Sequence, residues 1–250
     1  MGDDWVAAAF DAARRGDLHT LERMLDDTPT GVNRRGENDM VLLHIAAERD
    51  DVEMIQALLD RGADGEVRAA WGQTPFEWAA NMNCQGAAQA LLARGAGRMS
   101  LWTAAALGLS HEIESFFRED GTPAPEAGRA PREGDDVSGW AADTAYLRGD
   151  HVSDAFYIAC RNGHEVVARI LRDHGADPDA RGYFGAPAVH WAAAGGHEAI
   201  ITWLIEEGAD PRVRDPKFDG DAASWARECG HEAIADRIDE LIAHSDEERI

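Results

Sequence analysis

One stretch of the chain recurs at an almost constant spacing. The sequence ACRNGHEVVARILRDHGADPDARG begins at Ala159 and returns as AAAGGHEAIITWLIEEGADPRVRD from Ala192, 33 residues later. A further copy, ARECGHEAIADRIDELIAH, starts at Ala226 after another 34 residues. The alanine pairs at 12–13, 46–47 and 79–80 continue this spacing upstream. A period of this length predicts a stack of small structural repeats, each of which buries its apolar face against its neighbours.

The residues within one repeat predict two short helices. Thr74 is suited to cap a helix whose first residue is Pro75, since proline has no N–H to leave unsatisfied and its φ is already helical. The second helix carries apolar pairs one turn apart, Val166-Val167 and Ile170-Leu171, which form an inward stripe. Gly175 follows that helix, where a glycine readily takes the left-handed conformation that ends it. The pattern therefore predicts an all-α chain of helical hairpins.

These residues resemble the ankyrin-repeat family. The segment TPFEWAA at 74–80 is similar to the opening of the family's repeat, and the GAD triplets at 62–64, 175–177 and 208–210 are similar to its end. The resemblance covers nearly all of residues 5 to 244 apart from one insertion. It implies an ankyrin-repeat solenoid of about seven helix-turn-helix repeats. Short extended connections, here called fingers, are expected between them.

The spacing breaks at two places. The connection after Gly95 is too short for a finger, which predicts two blocks, 4–99 with about three repeats and 100–244 with about four. An acidic tail, 245–250, is expected to follow. The second break is an insertion at 122–153, in which Trp140 and Tyr146 fall in a predicted short helix. Long insertions in repeat proteins often lie on the binding face, but a solvated loop packed on the solenoid fits the residues as well.

Composition excludes several classes of protein. No apolar run approaches the roughly 20 residues that span a bilayer, and the N-terminal MGDDWVAAAF is acidic where a signal peptide is basic. The net charge of −23 opposes binding to nucleic acid. The three cysteines, Cys84, Cys160 and Cys229, are an odd number without a CxxC motif, which argues against a disulfide framework or a zinc module. We expect a cytoplasmic protein without a membrane or nucleic-acid partner.

The histidines are predicted to be architectural. Three of them occupy the same position of successive repeats, His164, His197 and His231. Stacked helices lie about 8 to 10 Å apart, whereas ligands of one zinc ion lie about 2 Å from it, so these rings do not converge on a metal. His44 and His190 match a histidine that is a structural hydrogen-bonding residue in the family. No GxSxG, HExxH or GxxxxGK[ST] motif is present, so we predict no catalytic residue, metal or cofactor.

Surface recognition is the remaining role. In the family that the chain resembles, partners contact the finger tips and the exposed positions of the first helices. Arginine and aromatic side chains are enriched at binding hot spots. The residues that match the fingers are Arg68, Trp71, Arg181, Tyr183, Phe184, Arg214, Lys217 and Phe218. Those that match the first helices are Arg49, Met82 and Arg161.

Core packing competes with recognition for the aromatic residues. The finger aromatics could instead pack between adjacent fingers and never meet a partner. For four tryptophans the register favours inward or inter-repeat positions: Trp78, Trp191, Trp203 and Trp225.

The sequence thus predicts a non-enzymatic, monomeric scaffold that binds a protein partner through its groove and fingers. A second hypothesis from another class stays open: an enzyme or small-molecule binder with a pocket at the irregular joint, built by Trp102, the 122–153 insertion and Tyr157. Self-association of the acidic solenoid is a third.

Overall fold

The computed structural model describes residues 3–128, 145 and 149–247. In this described part, fourteen α-helices form seven consecutive hairpins. The helices are α1 Asp3–Arg15, α2 Leu18–Asp27, α3 Leu42–Glu48, α4 Val52–Asp60, α5 Pro75–Asn81, α6 Gln85–Ala93, α7 Leu101–Ala106, α8 Ser110–Ile113, α9 His151–Arg161, α10 Glu165–Asp173, α11 Ala188–Ala194, α12 Glu198–Glu206, α13 Ala222–Glu228 and α14 Glu232–Glu247. The predicted all-α architecture of about seven helix-turn-helix repeats is confirmed in this part of the chain.

The hairpins belong to two compact units. The first unit ends at Met99 and holds α1 to α6, and the second begins at Ser100 and holds α7 to α14. Inside each unit the first helices of successive hairpins stack on one another, α1 on α3 on α5 and α7 on α9 on α11 on α13. That the two units act as separate domains, with the bounds 4–99 and 100–244, stays a prediction.

The start of α5 shows why these sequences form helices. The Thr74 hydroxyl accepts a hydrogen bond from the Glu77 backbone N–H at 3.3 Å, and Glu77 Oε2 accepts one from the Thr74 N–H at 3.0 Å. These two hydrogen bonds satisfy N–H groups that have no acceptor within the helix. Pro75, the first residue of the helix, has no N–H to satisfy. The predicted cap is confirmed.

Small side chains allow the helices to pack closely. The paired positions at 46–47, 159–160 and 192–193 are all fully buried. The second helices end as expected at glycines with positive φ, which is +89° at Gly175 and +99° at Gly208. One expectation is wrong: Val166 is 64% exposed. The helical turn places only its neighbour Val167 on the inward face of α10.

The long connection after the fourth hairpin is only partly described. Its first residues form a bridge between Phe117 and Pro123 and a short 3₁₀ turn at Pro125–Ala127. Trp140 and Tyr146, with the helix predicted around them, lie outside the described residues. Helix α9 begins at His151, so the last three positions assigned to the insertion, 151–153, are helical instead. Among the described helices, none has the length and apolar character needed to cross a membrane.

Candidate protein-binding surface

Three fingers carry the same pair of aromatic residues. One aromatic residue lies three positions before the N-cap residue of the first helix. A tryptophan lies four positions after that N-cap residue. The pairs are Trp71 with Trp78, Phe184 with Trp191, and Phe218 with Trp225. The ring centroids in these pairs lie 4.8, 6.0 and 6.0 Å apart, respectively. Each of these finger tips is therefore braced against the helix that follows it.

In the second unit the rings also meet between repeats. The ring centroids of Phe184 and Phe218 lie 5.2 Å apart, and those of Trp191 and Trp225 lie 5.0 Å apart. Tyr183 packs on Phe184 at 4.3 Å. These five residues are called the aromatic surface below. Tyr183 is 39% exposed and Phe218 is 59% exposed, so the surface packs internally and still offers ring area to solvent.

Two cationic side chains lie on the aromatic surface. The ammonium nitrogen of Lys217 is 4.1 Å from the centre of the Phe184 ring and 5.4 Å from that of Phe218. The Arg161 guanidinium is 5.4 Å from the centre of a Trp191 ring. Burial lowers the pKa of Arg161, although arginine stays charged at any physiological pH.

Phe184 is held in a strained backbone conformation. Its φ is +62°, in the left-handed region that bulky residues rarely adopt. The matching residue three positions before the cap of α3 is Asn38, which has φ +55° and is of a type that tolerates this region. The ring contacts of Phe184 offset a backbone cost of order 1 kcal/mol or more.

A buried carboxylate shapes the finger tip that carries Lys217 and Phe218. Asp215 Oδ1 accepts the backbone N–H groups of Lys217 and Phe218 at 2.9 and 2.7 Å. Its Oδ2 accepts the Gly220 N–H at 3.0 Å and the Trp225 indole N–H at 2.8 Å. Burial by itself would raise the pKa of Asp215, but these donors together hold the pKa below its ordinary value. The loop conformation is thus imposed by one ionised side chain.

The predicted finger arginines brace the tips. Arg181 Nη1 donates to the Gly185 carbonyl at 2.6 Å. Arg214 donates to the Asp219 carbonyl and pairs with the Asp219 carboxylate at 3.1 Å. Both guanidiniums therefore stabilise the geometry of their loops.

In the first unit the arginines predicted to bind a partner make contacts within the fold. Arg68 donates to the Gly72 carbonyl at 2.5 Å and pairs with Glu77 at 2.9 Å. Arg49 donates to the Arg14 carbonyl in the preceding repeat at 2.5 Å. Met82 is exposed. Trp71 is half-buried, and none of the described residues accepts a hydrogen bond from its indole nitrogen.

The histidines link neighbouring repeats. The Val41 N–H donates to His44 Nδ1 at 3.2 Å, which leaves Nε2 protonated to donate to the Gln73 carbonyl at 3.0 Å. Burial lowers the pKa of His44 to about 4 and lowers that of His190 as well. His164 and His197 lie 3.0 and 2.9 Å from carbonyl oxygens of the preceding repeat. The architectural interpretation is confirmed for these residues.

The three cysteines differ in burial. Cys160 is buried and Cys84 half-buried, and burial raises the pKa of both thiols. Cys229 is exposed. Within residues 3–128, 145 and 149–247, no group of three or more His, Cys, Asp or Glu residues could hold a metal ion.

Only some of the residues predicted to form the alternative pocket at the joint are described. Trp102 and Tyr157, which were expected to line it, are both buried. Most of the insertion expected to complete it lies outside the described residues. A small-molecule site there stays a prediction.

Sequence reasoning missed that two core tryptophans are also part of the surface. The structure confirms burial of Trp191, Trp203 and Trp225, whereas Trp78 is half-buried. The ring contacts place Trp191 and Trp225 in the aromatic surface as well as in the core. Their identical distance from the helix cap, shared with Trp78, is the signal that could have revealed this.

A match to a family model agrees with the repeat architecture. A family model described as ankyrin repeats, in three copies, matches residues 9–99 and 143–215, which is more than half of the chain. Serine/threonine-protein kinase 12 of Arabidopsis thaliana is 33% identical over 64 residues, which make up 26% of this chain. The match spans only 14% of that relative. The human ASB11 ankyrin repeat domain superimposes with a TM-score of 0.44 at 20% identity, covering 92% of this chain and 96% of that one.

Ankyrin repeats are generally protein–protein interaction modules, and the family is typically non-enzymatic. The family-model match covers most of the first three hairpins and all of the fifth and sixth. This chain belongs to the ankyrin-repeat family.

Proposed function

We propose that the chain is a non-enzymatic scaffold that binds a protein partner through the aromatic surface of its second unit. The observation that carries the proposal is the exposure of Tyr183 and Phe218 on rings that are fixed by their neighbours. Aromatic side chains offer large contact areas at low cost in conformational entropy, which makes them common binding hot spots.

The aromatic surface is organised before any partner arrives. The ring contacts of Phe184 and the four hydrogen bonds to Asp215 hold the two finger tips in one conformation. Ordering an interface side chain on binding costs about 0.5 to 1.5 kcal/mol. A surface that is already ordered avoids much of that cost.

Positively charged side chains near the aromatic surface also support the proposal. The chain has a formal net charge of −23, yet four cationic residues lie at or beside the aromatic surface: Arg161, Arg181, Arg214 and Lys217. Arg161 and Lys217, which lie over rings of this surface, would attract an acidic segment of a partner and disfavour basic ones. The net charge opposes nucleic acid as that partner.

The first unit has a lesser part in this proposal. Arg49 and Arg68 bind backbone and carboxylate groups of their own unit, so Met82 and Trp71 are the more available contacts. The chain acts as a monomer without a cofactor, and no residue has a catalytic role.

Affinity capture with matched variants tests the proposal. The full chain, a Tyr183→Ala/Phe218→Ala variant and a Val166→Ala variant are immobilised, and the proteins retained from a cell lysate are quantified by mass spectrometry. Val166 is the control, since among the described residues it is the most exposed large apolar side chain outside the aromatic surface. We expect a partner that is retained by the wild type and by Val166→Ala and lost from the double variant.

Thermal unfolding separates a binding defect from a folding defect. Both finger residues are exposed, so the double variant should keep its helicity and most of its stability. Equal retention of every protein by all three chains would contradict the proposal.

A further inference from the structure

Three tryptophans occupy the same register, but their indole N–H groups differ in one respect. Trp78 Nε1 donates to Glu48 Oε2 at 3.3 Å, and Trp225 Nε1 donates to Asp215 Oδ2 at 2.8 Å. Trp191 is 7% exposed, and its buried Nε1 has no acceptor among the described residues. Two of the three donors are thus satisfied by a carboxylate, and the third is left without one.

The missing acceptor has a clear origin in the sequence. Glu48 follows the buried pair Ala46-Ala47, one repeat before Trp78. The residue that follows the matching pair Ala159-Cys160, one repeat before Trp191, is Arg161. The second unit therefore presents a cation at the position where the first unit presents the carboxylate. The Arg161 guanidinium lies against the Trp191 ring at 5.4 Å.

This arrangement is costly in the unbound protein. A buried donor without an acceptor is unfavourable because it has lost its hydrogen bond to water, and buried donors are almost always satisfied in native structures. An acceptor that also carries a negative charge would satisfy the indole and complement the guanidinium together. The chain itself uses carboxylates for this purpose at both equivalent positions.

We propose that a carboxylate side chain of the partner, from aspartate or glutamate, binds between the Trp191 indole N–H and the Arg161 guanidinium. An apolar residue beside that acid packs on the exposed rings of Tyr183 and Phe218. The recognised element is thus a short peptide segment that combines an acidic and an apolar side chain. This inference rests on the proposed function and defines the partner chemistry of the same surface.

The Trp191 nitrogen is covered in the unbound chain. A partner carboxylate therefore reaches it after a neighbouring side chain changes rotamer, a common event when interfaces form. Charge-assisted hydrogen bonds are roughly twice as strong as neutral ones. The site should accordingly distinguish glutamate from glutamine.

Peptide selection provides the probe. A library of random twelve-residue peptides displayed on phage is selected against the full chain, and the enriched peptides are synthesised with capped ends. We expect every enriched family to contain Asp or Glu within three residues of a large apolar residue. Replacing that acid by its amide should weaken the dissociation constant about tenfold.

Three variants of the chain locate the contact. Trp191→Phe keeps a ring and removes the N–H, so the acidic and amide peptides should then bind within about twofold of each other. Arg161→Glu recreates the Glu48 and Trp78 arrangement, so the indole is satisfied internally and the acidic peptide should lose at least about thirtyfold in affinity. Trp78→Phe is the matched control and should leave peptide binding unchanged.

The outcomes separate this inference from the proposed function. Enriched peptides that lose affinity in the Tyr183→Ala/Phe218→Ala variant but carry no acid, or that ignore Trp191→Phe and Arg161→Glu, overturn the carboxylate site and leave the proposed surface intact. Failure of the library to yield any peptide sensitive to Tyr183 and Phe218 overturns both. Self-association that is abolished by Arg161→Glu and seen by light scattering would instead identify a second copy of the chain as the occupant, which also overturns the peptide proposal.

Discussion

The ammonium group of Lys217 lies 4.1 Å from the centre of the Phe184 ring, so one finger tip is joined to the next by a cation–π contact. Lys217 is the only lysine of the chain. Such contacts are worth about 0.5 to 1 kcal/mol at exposed sites. The contact therefore contributes little to overall stability and much to the local charge and order of the aromatic surface.

Lys217→Met tests the role of this charge. The methionine keeps an apolar stem over the ring and removes the ammonium, so affinity for an acidic partner segment should fall about fivefold. Lys217→Arg should retain wild-type affinity. Calorimetric titration with a selected acidic peptide measures both, and an unchanged affinity for Lys217→Met would show that the charge has no role in binding.

Phe184→Asn separates backbone strain from ring contacts. Asparagine tolerates the left-handed conformation at this position, as Asn38 does in the first unit. Relief of strain partly offsets the lost ring contacts, so the free energy of unfolding should change by less than about 1.5 kcal/mol. Binding should nevertheless fall at least about tenfold. Urea unfolding and peptide titration measure the two effects, and a large loss of stability with unchanged affinity would mean that Phe184 is only a core residue.

Asp215→Asn should destabilise the second unit. The amide cannot accept the four hydrogen bonds that the buried carboxylate accepts, and bonds to a charged group are worth about 1.5 to 3 kcal/mol each. We expect the free energy of unfolding to fall by at least about 2 kcal/mol. Asp219→Asn removes an exposed partner of Arg214 and should cost less than about 1 kcal/mol. Equal losses in the free energy of urea unfolding for the two substitutions would contradict the structural role of the Asp215 carboxylate.

His44 makes stability depend on pH in a defined direction. Burial lowers its pKa from 6.5 to about 4, so the unfolded chain takes up a proton before the folded chain does. The stabilisation from the neutral ring is complete above about pH 6.5 and is lost as the pH falls towards 4, by roughly 3 kcal/mol. Replacing His44 by glutamine removes this contribution. The stability difference between wild type and His44→Gln should therefore shrink between pH 7 and pH 4, and a constant difference in urea unfolding would refute the account.

Much of the fold follows from the period of the sequence. The period identifies equivalent positions, so the helices, the Thr74 cap, the buried alanine pairs and the role of His44 could all be predicted. Those features depend on contacts within a repeat or on small residues at fixed positions. The outward position of Val166 was not predicted, because residue type alone does not show whether both members of an adjacent apolar pair face the core, as those of the matching pair Ile200-Ile201 do.

The surface was only partly predictable. The sequence indicates which residues occupy the finger tips, but the positive φ of Phe184 and the four bonds to Asp215 depend on the folded loop. The lack of an acceptor for Trp191 among the described residues depends on the side chain that the preceding repeat supplies. That feature becomes visible only when Arg161 is compared with Glu48 in three dimensions.

Site-specific photo-crosslinking tests the central claim most directly. A benzoylphenylalanine residue is introduced in turn at Phe218, at Tyr183 and at the control position Val166, and each full chain is irradiated with the cell lysate. We predict that one partner protein is crosslinked from Phe218 and Tyr183 and is absent from the Val166 sample. Crosslinking of the same partner from Val166 alone, or from none of the three positions when capture shows that it is bound, would contradict binding through the aromatic surface.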